Sequence, residues 1–208
     1  MNALILLRHG ETAWSRNGRH TSRTDIDLTP LGEQQARAVG PLLTTRPVAS
    51  VLISPLSRAR RTAELAGLPN PIVEPDLHEW DYGSYEGLTT AQIQQTHANW
   101  NLFTHGAPDG ENADQVAARV DRVLARIDAL PPATLGGDVV LVAHGHVLRV
   151  LTARRLGLAP QAGAGFRLET AAVCSFGTEH GLPVLTGWNS RPPFQDGAQP
   201  RPVLERQG

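Results

Sequence analysis

Four segments carry side chains able to do chemistry on an anion. Arg8-His9-Gly10-Glu11-Thr12 sets a planar guanidinium fork, suited to phosphate oxygens, beside an imidazole basic enough to take a phosphoryl group. Ser54-Pro55-Leu56-Ser57-Arg58-Ala59 supplies a second guanidinium, and Ala143-His144-Gly145-His146 supplies two more imidazoles. Between them, Asp76 to Gly87 interleaves carboxylates with Trp80, Tyr82 and Tyr85. Desolvation against aromatic surface raises a carboxyl pKa toward the range a general acid needs near neutral pH. Taken alone, Arg-His-Gly is as readily a surface pair following a core strand, and Glu79 is one acid among Asp76, Asp81 and Glu86.

The elements that must position these groups are legible from apolar runs. Leu4 to Leu7, Val48 to Ile53 and Val139 to Val142 read as strands buried on both faces, with a shorter strand inside Pro69 to Val73. His9 and His144 each follow such a strand and precede a glycine. The carboxyl ends of strands, bounded by helix amino termini, are where open α/β sheets bind ligands. Thr29-Pro30 starts a helix with Leu31, Ala36, Val39, Leu42 and Leu43 on its apolar face, ending near Thr45. Ser54-Pro55 opens another, to about Ala66, carrying Arg58, Arg60 and Arg61. Cations at a helix amino terminus are disfavoured by a few tenths to about 1 kcal/mol, so at least one of them should face an anion, with Arg60 the one left to solvent or Glu64. Leu88 to Asn101 reads as helix and His105 to Asn112 as a loop. Val116, Val120, Val123, Leu124, Ile127 and Leu130 mark a further helix, Val147 to Leu156 the next. Ala171 to Phe176 and Leu182 to Trp188 form a closing hairpin around Glu179-His180-Gly181. Ala13 to Asp27 reads as a loop over the mouth of the site. Residues 1–188 are expected to form one domain with a small cap around 78–112, and 189–208 a Pro-rich tail.

Composition narrows the function. The chain has 208 residues, 40% hydrophobic, enough for one sizeable core. Its lone cysteine, Cys174, has apolar neighbours and reads as a strand core residue. All 19 basic residues are Arg; residues 1–61 carry +5, 62–118 carry −9 and 119–208 carry +3. That layout permits a local anion pocket but not the sustained basic face of a nucleic-acid binder. No leader-like segment or membrane-length apolar run is present, so no membrane partner and a cytoplasmic location are expected. The histidines lack H-x-x-x-H spacing with a third ligand, so no metal is expected.

Collected in order, these motifs resemble those of the histidine phosphatase superfamily, the phosphoglycerate-mutase-like fold, from about residue 3 to 188. The blocks WSRNGRHTSRTDIDLT, EWDYGSYEGLTT and THGAPDGEN look most like the branch of small acid phosphatases and sedoheptulose-bisphosphatase-type enzymes. The resemblance implies a three-layer α/β/α sandwich with a mostly parallel central sheet. It implies that His9 is the nucleophile, that Arg8, Arg58 and His144 hold the phosphoryl group, and that Glu79 protonates the leaving oxygen and then activates water. Thr12, Ser15, Arg16, His20, Thr21, Ser22, Gly145 and His146 are the candidate substrate contacts, although His20 by type alone is an ordinary histidine, as are His78, His97, His105 and His180. Ser15 replaces the Asn many members carry, and Ser22 a common Gly. No cofactor is implied, and a homodimer through the sheet edge or tail is left open.

Family mutases bring basic residues from a long insertion after the general acid, whereas Trp80 to Ala118 contains no Lys or Arg. Hydrolysis of small phosphorylated metabolites, sugar phosphates among them, is therefore expected over transfer. A second phosphate would be met by Arg16, Arg19, Arg23 or Arg167. The alternatives are a cofactor-dependent phosphoglycerate mutase and a non-catalytic member binding a phospho-ligand or protein.

Overall fold

A computed structural model describes residues 3–130 and 136–192. Six strands form one sheet in the order β3-β2-β4-β1-β5-β6: β1 (Leu4–Arg8), β2 (Val48–Ile53), β3 (Ile72–Val73), β4 (Asp138–Ala143), β5 (Val173–Glu179) and β6 (Leu182–Ser190). The first four are mutually parallel, and the C-terminal hairpin adds antiparallel to β1. Successive side chains on a strand point to opposite faces, so the unbroken apolar runs of β1 and β4 require a covering layer on each side. Ile5, Leu7, Val140 and Val142 pack with Val39 and Leu43 of α2 (Pro30–Leu43) and Ala59 and Ala63 of α3 (Ser57–Leu65). Leu4, Leu6, Val139 and Leu141 pack with Val116, Val120 and Val123 of α6 (Ala113–Asp128) and Leu148 and Leu151 of α7 (Gly145–Arg155). This is the expected three-layer α/β/α architecture, and Cys174 is buried in β5 as expected.

Local departures have physical causes. Thr12 caps a four-residue helix, α1 (Ala13–Arg16), through a reciprocal box with Ser15, inside the segment read as loop. Helix α2 starts under a Thr29 cap as expected, but Leu42 faces solvent at 46% exposure, because Val39 and Leu43 already occupy the buried stripe. Helix α3 begins at Ser57, not Ser54: Asp25 receives the Ser57 N–H (2.9 Å) and hydroxyl (2.8 Å), so the cap comes from a distant loop. Of the helix read over Leu88 to Asn101 only α4 (Thr90–Thr96) forms, and a second short helix, α5 (Leu102–His105), begins after it. Asn99 has a left-handed backbone (φ 64°) and Asn101 caps α5. The strand β6 extends through Ser190, past the start of the expected tail; the rest of that tail, from 193, lies outside the described residues. Among the described residues no helix is long and apolar enough to cross a membrane.

Candidate active site

The sheet order decides what meets. Parallel pairing of β1 with β4 aligns Arg8 with Ala143, so the next residue of each strand, His9 and His144, leaves the sheet side by side. Their ring centroids are 5.1 Å apart. On the other side of β4, Ile53 aligns with Val142 and Ser54 donates its N–H to the Val142 carbonyl (3.0 Å), bringing Ser54 to the same edge. Two glycines make the exit from β1 possible: a Cβ on Gly10 would lie 2.3 Å from the Gly32 carbonyl oxygen, and one on Gly32 would lie 2.1 Å from that of Glu11. The Gly10 N–H is held by Thr62 Oγ1 (3.0 Å), whose hydroxyl in turn donates to the Arg58 carbonyl (2.7 Å).

Hydrogen bonding fixes the imidazoles. A carbonyl can only accept, so the 2.7 Å contact of His9 Nδ1 with Gly10 O places the proton on Nδ1 and leaves Nε2 with its lone pair. Burial, with Arg58 and Arg8 nearby, pushes His9 well below the usual histidine value, so the ring stays neutral. Arg58 Nε donates to His144 Nδ1 (3.2 Å), which puts the His144 proton on Nε2, donating to Ser54 Oγ (2.6 Å). Burial, then Arg58 and His9, hold His144 well below its usual value too. The Arg58 guanidinium, 1% exposed, also donates to the carbonyls of Thr21 (3.0 Å) and Thr24 (3.2 Å), pinning the loop after α1. Arg8 donates to the Leu168 carbonyl (2.6 Å), while its buried Nε has no partner among the described residues. A Cβ on Gly145 would approach the Arg8 Cζ to 3.3 Å, so glycine there makes room for that guanidinium.

Glu79 is buried, and backbone donors hold its carboxylate where the sequence pointed to apolar surface for some acids of this segment. Its Oε1 accepts the Trp80 (2.8 Å) and Val147 (2.9 Å) N–H groups and its Oε2 that of His146 (3.1 Å), which seats the carboxylate on the amino terminus of α7. Asp76, Asp81 and Glu86 are directed elsewhere: Asp76 pairs with Arg122 (2.7 Å), Asp81 with Arg23, and Glu86 accepts the N–H groups of Ser22 (2.9 Å) and Thr24 (3.0 Å).

These groups surround a cleft of about 210 Å³ lined by Arg8, His9, Thr12, Ser15, His20, Thr21, Glu79, Gly145 and His146 from the sequence candidates. Arg58 and His144 stand behind it, outside the lining. Two candidates are not brought in. Arg16 turns outward onto Glu11 (2.6 Å), because the short helix points its side chain away. Ser22 lies outside the lining, its hydroxyl on the Glu79 carbonyl (3.4 Å). Ser15 lines the cleft, but its hydroxyl serves the Thr12 cap, donating to the Thr12 carbonyl (3.1 Å). Sequence reasoning missed Ser54, Thr62, Tyr82 and Arg149. Tyr82 hydrogen-bonds His146 Nδ1 (2.6 Å), and burial raises its hydroxyl well above the usual value. The signal for Arg149 was present: it follows His146 by three positions and so shares its helix face. A wider groove of about 940 Å³ beside α3 is lined by residues such as Asp25, Glu33, Arg60 and Glu64 and contains no histidine. Among the described residues no group of three His, Cys, Asp or Glu is arranged to hold a metal ion.

Known proteins are similar to this chain in sequence and fold. The model of the histidine phosphatase superfamily (branch 1) matches residues 4–191. An acid phosphatase of Mycobacterium tuberculosis is 45% identical over 181 residues, covering 86% of this chain and 88% of its own. The sedoheptulose 1,7-bisphosphatase of Saccharomyces cerevisiae is 34% identical over 185 residues (76% and 68%). A probable phosphoglycerate mutase of Citrobacter koseri is 32% identical over 197 (90% of each). Among solved structures, a Mycobacterium tuberculosis protein superposes with TM-score 0.85 at 42% identity, covering 91% of this chain and 98% of that one.

Proposed function

This chain belongs to the histidine phosphatase superfamily (branch 1), and from that membership we propose that it hydrolyses small phosphomonoesters, sugar phosphates in particular, through a phosphohistidine at His9. The observation that carries the reading is the neutral, buried His9 with its Nε2 lone pair free, lining one cleft with Arg8, whose buried Nε has no partner among the described residues. Phosphoryl transfer asks mainly for positioning and for positive charge around the equatorial oxygens. Arg8 supplies that charge in the cleft, and the Arg58 guanidinium adds to it from behind.

In the first step His9 Nε2 attacks phosphorus, the P–N bond forms and the ester P–O bond breaks, and the departing oxygen takes a proton from the Glu79 carboxyl. In the second, water gives a proton back to the Glu79 carboxylate and attacks phosphorus. The P–N bond breaks, and inorganic phosphate leaves with His9 regenerated. His144 acts by orienting Arg58. A cleft of about 210 Å³ is below the roughly 300–1,000 Å³ of common ligand pockets and suits a compact substrate. We assign residues 78–112 the part of a small cap over this cleft.

The test is phosphate release from sugar phosphates, glycerates, nucleotides and phosphopeptides by wild type and His9→Ala. Release by the wild type alone, with an acid-labile label trapped on His9, is the expected result. The mutase alternative has its own support in relatives of that name. Rapid formation of 2-phosphoglycerate from 3-phosphoglycerate and 2,3-bisphosphoglycerate, without free phosphate, would establish transfer instead.

A further inference from the structure

Among the described residues five arginines have no carboxylate within 4.0 Å, and three of them, Arg8, Arg19 and Arg149, line one cleft. Arg8 has a task in the reaction just described. Arg149 does not, yet it is the more heavily constrained of the remaining two. Its Nε donates to the Gly163 carbonyl (3.0 Å) and one terminal nitrogen to that of Ala164 (2.9 Å), while the guanidinium lies 4.6 Å from the Phe103 ring centroid. Gly163 permits this approach: a Cβ there would meet Phe103 at 2.7 Å and the Arg149 backbone at 3.2 Å. A cation withdrawn from water without a counter-charge is unfavourable unless an anion completes it. Carbonyl dipoles and a ring face orient this one without neutralising it; burial lowers its pKa, and Glu79, beyond ion-pair distance, offsets that only in part.

Its position sets the distance to that anion. Gly145 and His146, at the phosphoryl end, and Arg149 occupy one face of α7, so Arg149 stands one turn, about 5.4 Å, further along the helix. A second anionic group a few bonds from phosphorus spans that gap. At the rim, Arg19 lies 5.8 Å over the Trp14 ring. The other arginines that sequence alone offered for this task are engaged: Arg16 with Glu11, Arg23 with Asp81 and Arg167 with Glu169.

Building on the phosphatase reading, we propose that Arg149, assisted by Arg19, forms a second anion subsite that selects small phosphomonoesters bearing an additional carboxylate or phosphate a few atoms from the scissile group.

The test compares Arg149→Met and Arg149→Lys with wild type on p-nitrophenyl phosphate, glycerol 3-phosphate, 3-phosphoglycerate and fructose 1,6-bisphosphate. For Arg149→Met, kcat/KM should fall about 10- to 100-fold on one or both doubly anionic substrates, chiefly through KM. It should change less than about threefold on the two whose phosphate is their one anionic group, and Lys should restore part of the loss. A loss confined to the glycerate identifies a carboxylate subsite, and one confined to the bisphosphate a phosphate subsite. An equal loss on all four, as a merely structural role would give, overturns the proposal, as does no loss on any. Calorimetric binding of 3-phosphoglycerate and fructose 1,6-bisphosphate, against glycerol 3-phosphate, to His9→Ala with and without the Arg149 change reads the subsite without turnover. A wild type that releases no phosphate from any compound, yet loses doubly anionic ligands on Arg149→Met, would refute the phosphatase reading and leave the subsite standing.

Discussion

Ser54→Ala probes the least visible part of the site. The Ser54 hydroxyl, fully buried, accepts the Nε2–H of His144 at 2.6 Å, and the His144 ring is itself 0% exposed. Removing the hydroxyl strands that N–H away from water, a loss of about 1–3 kcal/mol. The ring cannot escape by moving its proton to Nδ1, because that nitrogen faces the Arg58 Nε–H at 3.2 Å and two donors would then oppose each other. Either the N–H stays unpaired or Arg58 surrenders the contact that orients it. Urea denaturation should therefore show a stability loss of about 1–3 kcal/mol. If the same energy is missing in the transition state, kcat/KM falls about 5- to 150-fold. A double-mutant cycle supplies the decisive reading. With His144→Ala already present, Ser54→Ala should cost far less than alone. Additivity within about 0.5 kcal/mol, or unchanged turnover in the single variant, would refute the chain from Ser54 through His144 to Arg58.

Three further outcomes are expected. Gly145→Ala should fold normally but turn over about tenfold more slowly, since its Cβ would crowd an Arg8 side chain already fixed on the Leu168 carbonyl; unchanged kcat/KM would show that Arg8 has room to move. The acid limb of the kcat/KM profile, corrected for the substrate phosphate's own ionisation near pH 6, should lie well below the ordinary histidine value of 6.5, because the free enzyme needs His9 neutral and burial with two arginines keeps it so. A midpoint at 6.5 would contradict this. Burial holds His20 at about 4 in the folded protein against 6.5 in the unfolded chain, so the unfolded state binds the proton first as pH falls. Its contribution to stability is intact above pH 6.5 and declines by about 3 kcal/mol between 6.5 and 4; His20→Gln should flatten that part of the stability curve, and an unaltered slope would assign it to other groups.

Strands of continuous apolar residues, the Thr29 cap, the helical period from Val116 to Ile127 and the hairpin turn were legible because each is set by neighbours in sequence. So were His9 and His144 as strand-end imidazoles. The residues alone did not separate Glu79 from Asp76, Asp81 and Glu86; that choice depends on which carboxylate reaches the first turn of α7, from a segment 67 positions away. The resemblance singled Glu79 out, and the fold supplies the reason. Equally, no local rule could show that Asp25 would cap α3, that Arg16 would turn to Glu11, or that Ser54 would set the His144 tautomer. Sequence determined what the elements are and which side chains they carry to their ends. The insertion of β4 between β1 and β2, which pairs Leu4 with Val139 and Val48 with Asp138, decided which ends meet, because hydrogen-bond register is a property of two strands and not of either one.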